Sequence, residues 1–558
     1  MKIWLIILSV VIFGCSDLKL DPVCDNLNDN DVENPCVYEA LKVNEPENPS
    51  LVNLPEIKKF TDDVTNCKKL PEPLNGLIDL SEGCYTGCIN FSGNLKILGI
   101  GSDKTLIICE DESAQAAIFG KDVNLEIEGV SINSRTRGIS VEGKSTVNIK
   151  SSVVSDCFKG GVKGCIDEDD CFSDVVITDS LIADIKSFDN ELVSYGVTIG
   201  PGSLKIENSK LEGFNSFAVA VWGESDLVIR NSEIKDIHGL SGDFHGVGIY
   251  AENSDIYLDR VSVRDPSTSF VYMVNDRDVA STADIRDVVL VGGVLESDEQ
   301  GGVVLDGKIS AEISRILITE SHGNGIFGNG VTIVVEDLEI DGVHSDPTTE
   351  NGFGIVLFDS EADLKNILIK EAQMVGLLVD GSSNVTIDNF QISETKADPV
   401  IGEFGLGVAV QGGAVLSMEN GIIAKNRECG VMAVNAELVM KNVEIVDTLP
   451  RKCSENENCT FAPGVPFGHG VSIYSDSKLS FSSLFINNNS NGINIESSQV
   501  QKISEGKAFF IDNISAVNAW DIDDEENLEK AFDSVTFCNN KSIFTTDVQP
   551  VREGLGSP

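Results

Sequence analysis

The chain is 558 residues long, room for several ordinary domains or for one long repeat array. Its 41 basic against 89 acidic side chains give a net charge of −48, which excludes nucleic-acid binding through phosphate contacts and docking of a basic patch on anionic lipid. An apolar content of 41%, with 51 Gly and only 16 Pro, excludes a wholly disordered acidic chain and suits a β-rich, turn-rich protein, while 6% aromatics with 3 Trp give no sign of an aromatic sugar-binding cleft.

The N-terminus carries the one segment apolar enough to meet a bilayer. Lys2 precedes an apolar stretch over 3–13, the length of a signal-peptide core and too short for a stable membrane span. It ends in "VIFGCSD", where Ile12, Gly14 and Cys15 resemble the lipobox of bacterial lipoproteins. The resemblance implies a signal peptide over 1–14, cleavage before Cys15 and lipidation of Cys15, whose acyl chains would hold the protein on a membrane. Ser16, in place of the Asp that marks inner-membrane retention in such lipoproteins, implies the outer membrane of a cell envelope, on its periplasmic or surface side. Residues 15–55, rich in Asp, Asn, Glu and Pro, are expected as a flexible acidic tether.

From about residue 77 the chain repeats itself. Instances of the unit are "GISVEGKSTVNIKSSVV" from Gly138, "GVTIGPGSLKIENSKL" from Gly196, "GVGIYAENSDIYLDRVSV" from Gly246 and "GVSIYSDSKLSFSSLFI" from Gly470. Alternating β-branched and Leu side chains put one apolar face on each short strand, which no single unit can bury alone. Stacking the units in parallel makes a continuous core, with Gly, Asn and Asp at the bends. The spacing predicts about 15 coils and a rod of roughly 70 Å at 4.8 Å per coil. Only 55–64 and 525–532 offer short helical stretches.

The segment Gly76 to Ile108 opens this array. Its Ile78, Leu80, Gly83, Tyr85, Ile89, Phe91, Leu95, Gly99, Gly101, Thr105 and Ile107 are similar to the opening coils of pectin-lyase-like right-handed β-helices. The resemblance implies a single-stranded right-handed parallel β-helix over 56–545, followed by a tail over 546–558. It does not imply an activity, because the fold carries many chemistries.

Export places the cysteines in an oxidising compartment. Of 14, Cys15 is set apart by the lipobox. The close pairs, and so the disulfide candidates, are Cys24 with Cys36, Cys84 with Cys88, Cys165 with Cys171, and Cys453 with Cys459. Cys67, Cys109, Cys157, Cys429 and Cys538 have no partner nearby in sequence. The remaining odd count leaves at least one free thiol.

Catalytic motifs are thin. "FGHGVSI" with His469 matches one of the four motifs of polygalacturonase-like hydrolases; the coil before supplies a single Asp447 in place of a pair. His469 also fills a slot before the repeat glycine that Tyr195, His245, Asn324, Phe353, Leu406, Cys429 and Asn491 fill elsewhere. His238, Asp243 and His245 share one loop region and are the other candidates for acid–base or metal chemistry, against an ordinary-turn reading. Arg260, Arg264, Arg277 and Arg286 form a local basic group read as solvated charge balancing nearby Asp. Dense carboxylates at Asp167, Asp169 and Asp170, and at Asp521, Asp523 and Asp524, would suit calcium, but match no calcium-loop motif; loose counterions are the default. No other cofactor is implied. The chain therefore reads as an anchored rod that binds carbohydrate or a surface protein, or acts in adhesion, without catalysis. The alternatives are a lyase or glycoside hydrolase acting on acidic polysaccharide, and a purely structural envelope protein.

Overall fold

The computed structural model describes residues 41, 43–51, 54–55, 64–166, 171–187, 193–239, 246–293, 301–345, 351–399, 404–450, 468–502, 508–511, 513, 515–520, 532, 535–538, 540 and 542–545. These residues form a right-handed parallel β-helix with one 3-10 turn at Val64–Asn66. The expected helical stretches at 55–64 and 525–532 fall almost wholly outside the described residues.

Each coil contributes to three parallel sheets. Sheet C holds the glycine-containing strands such as Tyr195–Ile199 and Phe217–Trp222. Sheet B follows in each coil, as in Lys144–Lys150 and Phe172–Thr178. Sheet A closes the coil, as in Val153–Cys157 and Leu181–Ile185. In later coils one long strand bends from B into A, as in Ser225–Ile237. Equivalent positions on neighbouring coils lie 22 residues apart between Val130 and Ser152, and 41 apart between Ala436 and Ser477. Seventeen successive parallel pairings carry sheet C from Ile89 to Thr545. At 4.8 Å per step that is a rod of about 80 Å. The stack is thus longer than the coil count expected from sequence, because the glycine-led motif fades in the first and last coils while backbone pairing continues.

Alternation drives the core. In Lys144–Lys150 every second residue is buried, and Val147, Ile149, Val175, Ile177, Leu204, Ile206, Leu227 and Ile229 stack in columns inside the coil. Each buried Val, Leu or Ile is worth about 1.5–3 kcal/mol relative to exposure. The bend from B to A uses one left-handed residue per coil, among them Asp179 (φ 50°), Asn208 (49°), Asn231 (47°), Asn366 (56°) and Asn389 (55°). Asn and Asp tolerate that conformation and also bond along the stack: Asn231 donates to Asn208 at 2.7 Å and Asn389 to Asn366 at 2.7 Å. Beside them runs a serine ladder, in which the Ser152, Ser180 and Ser209 amides donate to the hydroxyls of Ser180, Ser209 and Ser232.

The glycines of sheet C have a different cause. A Cβ on Gly430 would stand 2.6 Å from the Gly470 carbonyl oxygen, and one on Gly470 equally close to that of Gly492. Neither has a positive φ; on these coils the backbones approach too closely for a side chain at that corner.

The first coils are stapled by Cys67–Cys84 and Cys88–Cys109. This corrects the expected pairing of Cys84 with Cys88. Cys84 lies in the strand Gly83–Thr86 and Cys88 just beyond it, and each bonds a neighbouring coil, at separations of 17 and 21 residues. Cys165–Cys171 closes a local loop, as expected. Cys157 and Cys429 are buried free thiols. The expected pairing of Cys24 with Cys36 lies outside the described residues, and so does that of Cys453 with Cys459. The lipidation candidate Cys15 lies outside them too.

Residues 44–50, expected within a flexible tether, lie against the B-to-A bends. Asn44 Nδ2 donates to Asp337 at 2.8 Å, the Glu47 amide to Asp287 at 3.3 Å and the Ser50 amide to Asn231 at 2.6 Å; Asn231 Nδ2 returns a bond to the Ser50 carbonyl at 3.2 Å. Glu47 also faces Arg260 at 3.9 Å. From Asn231 to Asp337 is four coils, about 19 Å. Six residues of polyproline-like chain cover the same distance, and Pro46 and Pro49 favour that conformation.

Candidate functional site

The outward side of sheet C carries an aromatic cluster on four successive coils. Register places Tyr195 opposite Phe217, Ala220 opposite Tyr250 and Tyr250 opposite Tyr272. The backbone therefore delivers rings to one surface at coil spacing. Tyr195 and Phe217 stack with centroids 5.6 Å apart, and Tyr195 meets Trp222 edge-on at 5.3 Å. Phe217 meets Tyr250 edge-on at 5.3 Å, Trp222 and Tyr250 lie 5.9 Å apart, and Tyr250 stacks on Tyr272 at 5.9 Å. Phe217 is buried; Tyr195, Trp222, Tyr250 and Tyr272 are partly exposed. Such stacked and edge-to-face pairs add about 0.5–1.5 kcal/mol each beyond their area and hold one another's orientation.

Polar groups run through the cluster. The Tyr250 hydroxyl donates to Glu252 Oε2 at 2.9 Å. Burial, then the Glu252 charge, push that phenol well above its ordinary value, so it stays protonated and remains a donor. Trp222, Glu252, Val274 and Asp306 occupy one outward row on successive coils. Asp306 accepts from Asn329 Nδ2 at 2.8 Å. Glu252 and Asp306 are thus two coils apart, about 10 Å.

Sequence reasoning missed this cluster because average composition hides clustering. The available signal was positional: an aromatic residue recurs at outward positions in "YGVTI", "FAVAVW", "GIYAE" and "VYMVN".

The candidates singled out in the sequence are dispersed. His238 follows a sheet A strand, exposed, with its amide donating to the Phe214 carbonyl at 2.8 Å. Asp243 and His245 lie outside the described residues. Register still corrects one point: Val247 pairs with Phe217, so Gly248, not Gly246, is the repeat glycine and His245 is not in the slot. Asp447 is a left-handed bend residue (φ 56°) accepting from Asn488 Nδ2 at 2.7 Å, a structural role. His469 does sit in the slot, in a row with Cys429 and Asn491 on the flanking coils. Its Nδ1 is 3.0 Å from Asn491 Nδ2, its exposure is 1%, and burial lowers its pKa to about 4. Burial likewise pushes the Cys429 thiol up to about 12. Burial keeps Cys429 a thiol, not the thiolate a nucleophile needs, and leaves His469 an imidazole too weakly basic and too shielded to take a proton from a substrate. The row packs beside an apolar cluster on the outer side of sheet C that includes Phe327, Val356, Leu378, Met432 and Tyr474.

The basic group is dispersed into pairs: Arg260 with Asp259 at 2.9 Å, Arg277 with Glu224 at 2.7 Å and Arg286 with Asp284 at 2.5 Å, while Arg264 bonds Ser262 at 3.0 Å. The calcium candidates at Asp167, Asp169, Asp170, Asp521, Asp523 and Asp524 lie outside the described residues. Among the described residues no group of three His, Cys, Asp or Glu side chains is placed to hold a metal ion, and no helix is long and apolar enough to cross a membrane.

Residues 324–509, about a third of the chain, match the family model described as right handed beta helix region. No curated protein matches the sequence. Among solved structures the chain is similar to the catalytic domain of a GH87 alpha-1,3-glucanase in complex with nigerose, at 12% identity over 87% of this chain and 69% of that one, with a TM-score of 0.24. It is also similar to the Dettilon tailspike protein (12% identity, 76% and 61% covered, TM-score 0.22) and to a mannuronan C-5 epimerase A-module of Azotobacter vinelandii (13%, 80% and 90%, 0.16). At these values no activity carries over.

Proposed function

We propose that this protein is a carbohydrate-binding rod, held on a bacterial cell envelope by lipid on Cys15, and that it binds without catalysis. The observation that carries the reading is the ring cluster of Tyr195, Phe217, Trp222, Tyr250 and Tyr272 on the outside of sheet C. Partly exposed rings locked by their neighbours offer flat apolar area at little entropic cost, and the Tyr hydroxyls add hydrogen bonding at the rim. A sugar ring, with apolar C–H faces and hydroxyl edges, complements that mixture. Glu252 and Asp306 favour one second reading, a hydrolase, since paired carboxylates on one row are the machinery of glycosidic cleavage. Two features weigh against it: each carboxylate is engaged by a neighbour, and their coils stand about 10 Å apart, beyond the range over which paired carboxylates cleave a glycosidic bond.

The test is a glycan array probed with the full chain and with a double variant, Tyr250→Ala with Tyr272→Ala, alongside an assay for released reducing or unsaturated ends. Binding lost in the double variant, with no sugar released, is the expected result. Turnover abolished by Asp306→Asn would overturn the non-catalytic reading. Binding unaffected by the double variant would remove the ring cluster from consideration.

A further inference from the structure

We infer that the ring cluster takes a neutral, hydroxyl-rich oligosaccharide lying along the rod axis and rejects acidic glycans; this rests on the carbohydrate-binding reading above. The cluster is elongated. Its rings come from four successive coils, so it extends about 15 Å along the stack, while each coil offers only one or two rings across it. A single sugar covers part of such a surface; a chain of several units covers it all. Affinity should therefore rise with chain length until the four coils are filled.

Charge sets the ligand class. Glu252 stands within the cluster, between Trp222 and Val274 on the same outward row, with the Tyr250 hydroxyl as its hydrogen-bond donor. Asp306 follows on that row. Two cations of the bordering turns are already ion-paired. The Arg277 guanidinium, which lies beside Gly223 at the foot of Trp222, bonds Glu224 at 2.7 Å, and Lys308 bonds Asp278 at 3.0 Å. A uronate carboxylate laid on these rings meets Glu252 and finds its nearest guanidinium engaged, within a protein whose net charge is −48. A neutral hydroxyl meets the same Glu252 as a hydrogen-bond acceptor. The carboxylate that repels one class orients the other.

The experiment titrates the intact protein calorimetrically with neutral gluco- and manno-oligosaccharides from disaccharide to octasaccharide, and with oligogalacturonates of matched length, at low salt. Expected is neutral binding that strengthens with length and then levels off, at least about tenfold tighter than the matched uronate. Tyr272→Ala should weaken it about tenfold or more while the protein still unfolds in one cooperative thermal transition. Glu252→Gln should narrow the gap between the classes, and Glu224→Gln, which frees Arg277, should narrow it from the other side. Uronates binding as tightly as neutral chains and losing affinity in Tyr272→Ala would overturn the neutral specificity while leaving the carbohydrate reading intact. Affinity independent of length would overturn the axial placement. No binding to either series would overturn both the inference and the reading it rests on.

Discussion

Two stretches of the same outer surface, built on the same backbone, behave as different materials. Over Tyr195 to Asn275 sheet C shows water a patch of partly exposed rings with a carboxylate among them. Over Asn324 to Tyr474 the same outward rows hold Phe327, Val356, Leu378, Ala409 and Met432, all buried, with neutral His469 and Cys429 beside them. Coil geometry fixes where side chains go and leaves open what they do. In a solenoid a surface is specified row by row, so one face can be accessible recognition surface at one end and packed interior at the other.

Replacing an outward residue by Asp should separate the two stretches most sharply. Leu378→Asp puts a charge where exposure is 0% and should cost about 4 kcal/mol or more, read as a collapse of the urea midpoint. Tyr272→Asp, at a partly exposed site, loses one stacked ring pair and should cost about 1–2 kcal/mol. Equal costs would erase the distinction.

Acid–base titration of two buried groups comes next, His469 on sheet C of the buried stretch and Glu444 on sheet A of the coil before it. His469 is held near pKa 4 against an ordinary 6.5, so on acidification the unfolded chain binds a proton that the folded chain refuses. That group takes away stability as pH falls from about 6.5 to 4. Glu444 is pushed up by burial, with help from Asp447, to about 7 against 4.5; the unfolded chain releases its proton first, and stability is lost as pH rises from about 4.5 to 7. Each effect is about 3 kcal/mol, and in the native protein they offset. His469→Gln should therefore show stability falling with pH across this window relative to wild type, and Glu444→Gln stability rising. Variants at Tyr250 should leave the profile unchanged.

Smaller effects come from the corner glycines. Gly376→Ala drives a methyl to 2.6 Å from the Gly407 carbonyl oxygen and should cost about 1–3 kcal/mol in chemical denaturation. In the ring-bearing stretch the same slot already holds a side chain, Ala218, so Ala218→Gly should change stability by less than about 1 kcal/mol. The mildest change, Tyr250→Phe, removes only the bond to Glu252 and should cost about 1 kcal/mol in folding while weakening neutral-glycan binding a few-fold.

The fold was legible because it is written locally and repeatedly: alternating Val and Ile, with Asn or Asp at most bends, state the coil without reference to anything distant. What joins one coil to the next was harder to read. Cys67 and Cys84 look unrelated until their separation of 17 residues is recognised as one turn of the coil, whereas Cys84 and Cys88 look paired because they are near in sequence. Slot assignment failed at His245 for a similar reason: "HGVGI" contains two glycines, and only the register with Phe217 selects Gly248. The ring cluster escaped because the rings that touch are 22 to 33 residues apart in sequence and meet only once the coils stack.

The strap of residues 44–50 has a mechanical meaning. A pull arriving from the N-terminal side of Asn44 meets the bonds at Asp337, Asp287, Arg260 and Asn231 in turn before any load reaches the first coil. Like a clamp on a cable, it passes tension to the waist of the rod, where the stack is continuous on both sides, and spares the terminal coil that would otherwise peel first.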